Sequence, residues 1–166
     1  MAARYYVAIV LLGVLAILQT AVLPHLAVAG VEPQLLFLVA LVWGLLRGLE
    51  EGLIVAFMAG IWADLFSLTP LGLSSLAFMA GVGLPLLLRQ VLPPRRLLVA
   101  VLMAALGTII YLLFYALALR AFSHSISPGG FVDLLPIVLF HAILITPVYL
   151  AAQAINRGFQ PRRVEF

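Results

Sequence analysis

The sequence predicts an all-α polytopic membrane protein, a single integral-membrane domain over residues 1–166 with about six transmembrane helices. Three observations predict it. Hydrophobic residues make up 66% of the chain and charged ones 9%, against roughly 25% charged in soluble domains. Mean hydropathy is +1.26, more apolar surface than a soluble core of this size could hide. Charge placement is the third. All nine cations are arginine, and they stand between apolar runs. With six spans, Arg4, Arg47, Arg89, Arg95, Arg96, Arg157, Arg162 and Arg163 share one side, and Arg120 alone falls on the other. Positive charge collects on the cytoplasmic side, so both termini are expected there. The net charge of +3 and pI near 9.8 do not signal nucleic acid, because no basic patch accompanies them. The chain has no cysteine, which excludes disulfides and thiolate metal sites.

Helix one is expected over 5–23, where a 19-residue apolar run follows Arg4 and stops at Pro24. The competing reading is a cleaved signal peptide ending at Ala27-Val28-Ala29. Signal cores are usually about 7–15 residues, and this run is longer. Helix two is expected over 34–47, opened by Glu32-Pro33 and closed by Arg47. An acid suits the positive end of a helix and a cation the negative end. Helix three, 51–66, opens on Glu50-Glu51 in the same way. Both are short. Some 15 residues reach ~22 Å, less than a ~30 Å hydrocarbon core. They are therefore expected to sink among longer neighbours, to thin the bilayer locally, or to form a re-entrant pair. Helix four covers 70–89 with a kink at Pro85; helix five covers 97–120 after the stiff turn Pro93-Pro94-Arg95-Arg96. Ala100 and Ala104, four apart in helix five, form a common small-residue packing pair. Ser127-Pro128-Gly129-Gly130 marks a loop, and helix six covers 131–154 with kinks expected at Pro136 and Pro147.

The stretch Gly60 to Gly72 breaks the pattern, because it places Asp64 in an apolar segment. A charge near membrane depth costs at least ~2.5–3.5 kcal/mol on insertion scales, so it needs a partner or a purpose. Gly52, Ala56, Gly60 and Asp64 recur every four residues, along one helical face. Three small residues there let a second helix come close. Ser67, Thr69, Pro70 and Gly72 then read as a tight turn, with Thr69 capping the next helix and Pro70 in its first position. Asp64 opposes the dipole of its own helix. Its stabiliser is either the amide cluster opening helix four, with the Ser67 and Thr69 hydroxyls nearby, or Arg120, the candidate ion-pair partner.

Catalytic and cofactor patterns are missing from the sequence. It has no Gly-x-Ser-x-Gly elbow, no phosphate-binding glycine loop and no His-Glu-x-x-His metal pair. Glu50-Glu51 resembles the glutamate pair of certain intramembrane proteases, but Val55 stands where those carry arginine. No catalytic residue, metal ligand or cofactor is assigned. His141, mid-helix six, reads as a histidine hydrogen-bonded between helices, with a ligand or proton carrier as the alternative. Asp133 reads as a first-turn acid.

Gly-x-x-x-Asp-x-x-Ser-x-x-Pro-Leu-Gly at 60–72, preceded by Arg47-Gly48-x-x-Glu-Gly52 and followed by 73–77, resembles the rod-shape-determining membrane protein MreD family. Length, six spans, the short second and third helices and the arginine-rich tail resemble it too. Leu68, where many relatives have glycine, and Ser74, where some carry a larger polar residue, depart from its pattern. The resemblance implies a multi-pass protein of the bacterial inner membrane and a non-enzymatic scaffold of the cell-elongation machinery that synthesises peptidoglycan. It implies an MreC-like bitopic partner and, indirectly, MreB, RodA and a class B penicillin-binding transpeptidase. It also implies a fold similar to the substrate-binding subunits of energy-coupling-factor transporters. That likeness supplies the alternative, a small-molecule-binding transport subunit. Such a subunit should offer polar and aromatic residues from its outer loops, where this chain has little beyond Arg120, Ser123, His124 and Ser125.

Overall fold

The architecture follows from one short helix whose polar ends are held by its longer neighbours. In the computed structural model, residues 2–22, 33–67, 70–89, 96–121 and 134–158 are described. They form six helices: α1 (Ala2–Val22), α2 (Leu35–Arg47), α3 (Leu49–Leu65), α4 (Leu73–Arg89), α5 (Arg96–Ala121) and α6 (Leu134–Gly158). The segments containing Pro24, His25, Glu32, Leu68, Thr69, Pro93–Arg95, residues 122–133 and Arg162–Arg163 lie outside the described residues.

At 13 residues, α2 is ~20 Å long, half the reach of α5. It is nevertheless the centre of the bundle. Leu36, Phe37, Leu38, Ala40, Leu41 and Val42 are all at most 1% exposed, which a continuous apolar run allows only where neighbours cover every side. Phe37 packs its ring against Phe78 of α4, Tyr111 of α5 and His141 of α6, at centroid distances of 5.5, 5.2 and 6.0 Å.

The α2 ends are capped from other helices. Leu36 N–H donates to Gln19 Oε1 of α1 at 3.2 Å, and Gln34 N–H donates to His141 Nε2 of α6 at 2.9 Å. At the other end, Arg89 Nη1 of α4 donates to the Leu45 carbonyl at 2.5 Å. Free helix ends in an apolar medium cost several kcal/mol per group, so a buried short helix requires such partners. Thr108 sits mid-α5 and His141 in the third turn of α6, so α2 starts level with the interior of the longer helices rather than with their ends. Of the sequence's alternatives for a short helix, this geometry corresponds to one sunk among its neighbours.

Glycine contacts set the helix spacing. Gly48, at φ 108°, separates α2 from α3 by a single residue. Beyond it, a Cβ on Gly52 would lie 2.6 Å from the Gly44 Cα. Trp43 Nε1 donates to Glu51 Oε2 at 3.2 Å across the same turn. In the α4–α5 pair, a Cβ on Gly107 would lie 2.4 Å from the Gly81 carbonyl oxygen. Ala100 and Ala104 are fully buried nearby.

Several expected boundaries change. Helix three begins at Leu49 rather than 51, because the left-handed Gly48 is the break and everything after it is free to wind. Helix four begins at Leu73 rather than 70, because Gly72 at φ 94° cannot belong to it. Pro70 therefore precedes the helix instead of opening it. Helix six continues to Gly158, past the expected end at 154, since hydropathy marks apolar depth rather than helix length. Pro136 falls in its first turn, where no amide donor is needed and no kink follows, while Pro147 lies inside the helix.

The outside of the bundle is apolar. Val10, Ile17, Leu98, Leu117, Leu139 and Ile143 are 55–70% exposed or close to it, with many others on α1, α4, α5 and α6. A soluble monomer rarely shows such a surface; lipid covers it without cost. Leu97–Ala118 of α5 and Leu135–Ala154 of α6 are long and apolar enough to cross a membrane, at mean hydropathies of 2.7 and 2.0.

Candidate functional site

The Asp64 turn is built by backbone geometry. Asp64 closes α3 and is 2% exposed. Its Oδ2 accepts the Gly72 N–H at 2.7 Å and its Oδ1 the Ser74 N–H at 3.1 Å. Both carboxylate oxygens thus serve the first amides of α4, where orphan donors and the positive dipole end favour an anion. The left-handed Gly72 turns its N–H back toward α3. The Ser67 N–H and hydroxyl both point to the Asp64 carbonyl, at 3.2 and 3.3 Å. Pro70 contributes its carbonyl to the Leu73 N–H at 3.3 Å. Thr69, expected as the cap, lies outside the described residues, and the cap atoms named here belong to Asp64. Arg120 ends α5 on the exposed surface. The Asp64 oxygens described above engage α4 amides.

The small-residue face is filled from within, by two different neighbours. Gly52 meets Gly44 of α2, Ala56 is fully buried in the core, and Gly60 meets α4. A Cβ on Gly60 would lie 2.2 Å from the Ser75 Cα. Ser75 Oγ donates to the Phe57 carbonyl at 3.1 Å beside this crossing.

His141 belongs to a second polar cluster. Its Nε2 accepts the Gln34 N–H, which can only donate, so the ring proton sits on Nδ1. Nδ1–H then donates to Thr108 Oγ1 at 2.9 Å, and the Thr108 hydroxyl donates to the Ala104 carbonyl at 2.7 Å. Both ring nitrogens are occupied by protein groups and the residue is 0% exposed, the arrangement of an interhelical tether. His141→Leu would strand the Gln34 N–H, at about 1–3 kcal/mol, and would leave the Thr108 hydroxyl with its Ala104 bond alone. We expect a lower thermal midpoint in detergent, with Thr108→Val costing clearly less in the His141→Leu background than alone. Additive losses would contradict the tether.

Beside these clusters, a cleft of about 260 Å³ opens above the start of α2. Gln19, Gln34, Trp62, Ser74, Tyr111 and Tyr115 are among its lining residues, and among the described residues no charged side chain is. This corrects one expectation. The sequence reading looks for polar and aromatic residues in the outer loops and finds few, whereas the helix ends themselves supply them. Gln19 was legible as a carboxamide inside an apolar run, and Thr108, Tyr111 and Tyr115 as polar groups on one face of helix five. Neither pattern is local enough to name a cleft.

Among the described residues, no group of three or more His, Asp or Glu could hold a metal ion. No curated protein and no solved structure gives a match to the chain. A family model does match, that of the rod shape-determining protein MreD, over residues 2–155. With nearly the whole chain covered, from the start of α1 into the last turns of α6, the protein belongs to the MreD family of rod shape-determining membrane proteins.

Proposed function

We propose that the protein is a non-enzymatic scaffold subunit of the bacterial cell-elongation complex. In this reading it binds an MreC-like bitopic protein and supports, indirectly, MreB, RodA and a class B penicillin-binding transpeptidase in peptidoglycan synthesis. The family match over residues 2–155 carries the proposal. The structure adds support of a physical kind: the buried polar groups at Asp64 and His141 are used to hold helices together. The test is affinity capture from mild detergent. An MreC-like partner should be recovered at near-stoichiometric yield, and its absence from a membrane that contains it would sink the scaffold reading.

Topology is part of the same proposal: six spans in the inner membrane, cytoplasmic termini, and a fold like the substrate-binding subunits of energy-coupling-factor transporters. The arginine bias supports the orientation. Because the chain lacks cysteine, single substitutions can be labelled without background. An impermeant thiol reagent added outside should modify Ser125→Cys and leave Arg95→Cys and Gln160→Cys unmodified. Outside labelling at 95 would invert the arrangement. Ser67→Cys reports whether the Asp64 turn reaches the outer surface.

The cleft favours a second reading, a small-molecule-binding transport subunit. Capture of a transporter ATPase module in place of an MreC-like protein would select it.

A further inference from the structure

Two buried hydroxyls in the cleft have no protein partner among the described residues. Ser74 and Tyr111 are each 7% exposed, and both line the cleft. Ser74 uses its backbone N–H on Asp64, while its Oγ makes no hydrogen bond to the described residues. The Tyr111 ring packs against Phe37 and Phe78, while its phenol oxygen likewise makes none. Buried hydroxyls are almost always satisfied. Two such groups from different helices facing one cavity mark a place where something else supplies the bonds.

The surroundings say what kind of molecule fits. Gln34, at the start of α2, accepts from Gln19 with its side-chain oxygen at 2.7 Å, which leaves its amide hydrogens to the cleft. Trp62 and Phe66, both lining the cleft, lie nearly parallel, at 6.3 Å and 14° between ring planes. The walls therefore offer a flat aromatic surface and neutral donors and acceptors from three helices. With no charged lining residue among the described ones, a phosphate or a carboxylate would find no counter-charge from them. A lipid tail would leave the hydroxyls unsatisfied. The volume, about 260 Å³, is below the roughly 300–1,000 Å³ of pockets for drug-sized ligands, and suits a single ring. A pyranose combines these features, with apolar faces for stacking and hydroxyls around its rim. We propose that this cleft binds the ring of an uncharged saccharide, held by Ser74, Tyr111 and Gln34 and stacked on Trp62. The inference goes beyond both readings above and needs neither partner to be present.

The experiment uses the full chain in nanodiscs, since glycoside detergents carry the same ring. The chain has two tryptophans, so a Trp43→Phe background leaves Trp62 as the reporter. Methyl glucoside and N-acetylglucosamine are titrated against its fluorescence, with glucosamine and glucuronate as charged controls. Saturation-transfer NMR on the same sugars guards against a silent fluorophore. Binding by the neutral sugars and not the charged ones is expected. Ser74→Ala and Tyr111→Phe should each weaken it by about 3–10-fold, the share of one neutral hydrogen bond. Neither should lower the thermal midpoint of the sugar-free protein, because each removes a hydroxyl without a protein partner. Absence of binding by both methods at up to about 10 mM, where affinity is worth under 3 kcal/mol, would overturn the proposal. Equal binding of charged sugars would overturn it too, as would affinity unaltered in both variants.

Discussion

Gly60→Leu is expected to prevent stable folding, and Gly60→Ala alone to lower stability by about 1–3 kcal/mol, the usual range for an overpacked core. The reason is the identity of the neighbour. A Cβ on Gly60 would meet Ser75 Cα at 2.2 Å, Ser75 N at 2.3 Å and the Ser74 carbonyl carbon at 2.7 Å. All three are main-chain atoms, so no rotamer change relieves the contact and α4 must move off α3. That movement would also pull the Gly72 and Ser74 amides from Asp64. Gly83→Ala is the matched control. Its Cβ would meet only the tip of Leu53, at 3.1 Å, and alanine is favoured over glycine in a helix interior by about 0.5–1 kcal/mol. The control should be neutral or stabilising. Thermal unfolding in detergent and yield of monodisperse protein measure both. Wild-type behaviour in Gly60→Ala would mean that the α3–α4 crossing is not held this closely.

That crossing shows what the sequence could and could not tell. The four-residue spacing of Gly52, Ala56 and Gly60 announced close approach, but a stripe does not name its neighbour. Gly52 meets α2 and Gly60 meets α4 because the helix turns between them. The Gly81–Gly107 contact left no trace, since neither glycine recurs at a four-residue spacing in its own helix; the sequence pointed to Ala100 and Ala104 instead. Helices were legible from apolar runs broken by glycine, proline and arginine. Their ends were less so, because Gly48 and Gly72 take left-handed conformations that composition only hints at. That Gln19 and His141 cap the start of α2 escaped notice for a similar reason. A buried helix end is satisfied by whichever polar group the fold delivers, here from residues 17 and 107 positions away.

Asp64→Leu is expected to cost more than any other single side-chain change in the turn, and Asp64→Asn to fall between it and wild type. The sequence alone suggests that asparagine would be largely tolerated if amides provide the cap. The geometry revises this, because the two carboxylate oxygens serve different amides, Gly72 and Ser74. Asparagine offers one oxygen and turns its own NH₂ toward the other N–H, so at least one bond is lost. Hydrogen bonds to charged groups contribute about 1.5–3 kcal/mol each, which places Asp64→Asn near that loss. Leucine loses both bonds and leaves the buried Ser74 amide and the part-buried Gly72 amide unsatisfied at the start of α4, for roughly 3–5 kcal/mol in total. Arg120→Gln, in contrast, should change little, since Arg120 is exposed and the amides of Gly72 and Ser74 already engage both carboxylate oxygens. The double variant Asp64→Asn/Arg120→Gln should equal the sum of its parts within about 0.5 kcal/mol. Thermal midpoints of the wild type and these variants in one detergent decide the matter. A coupling well above that limit would restore the ion pair, and a wild-type midpoint in Asp64→Leu would mean that the α3–α4 turn is held by something other than its carboxylate.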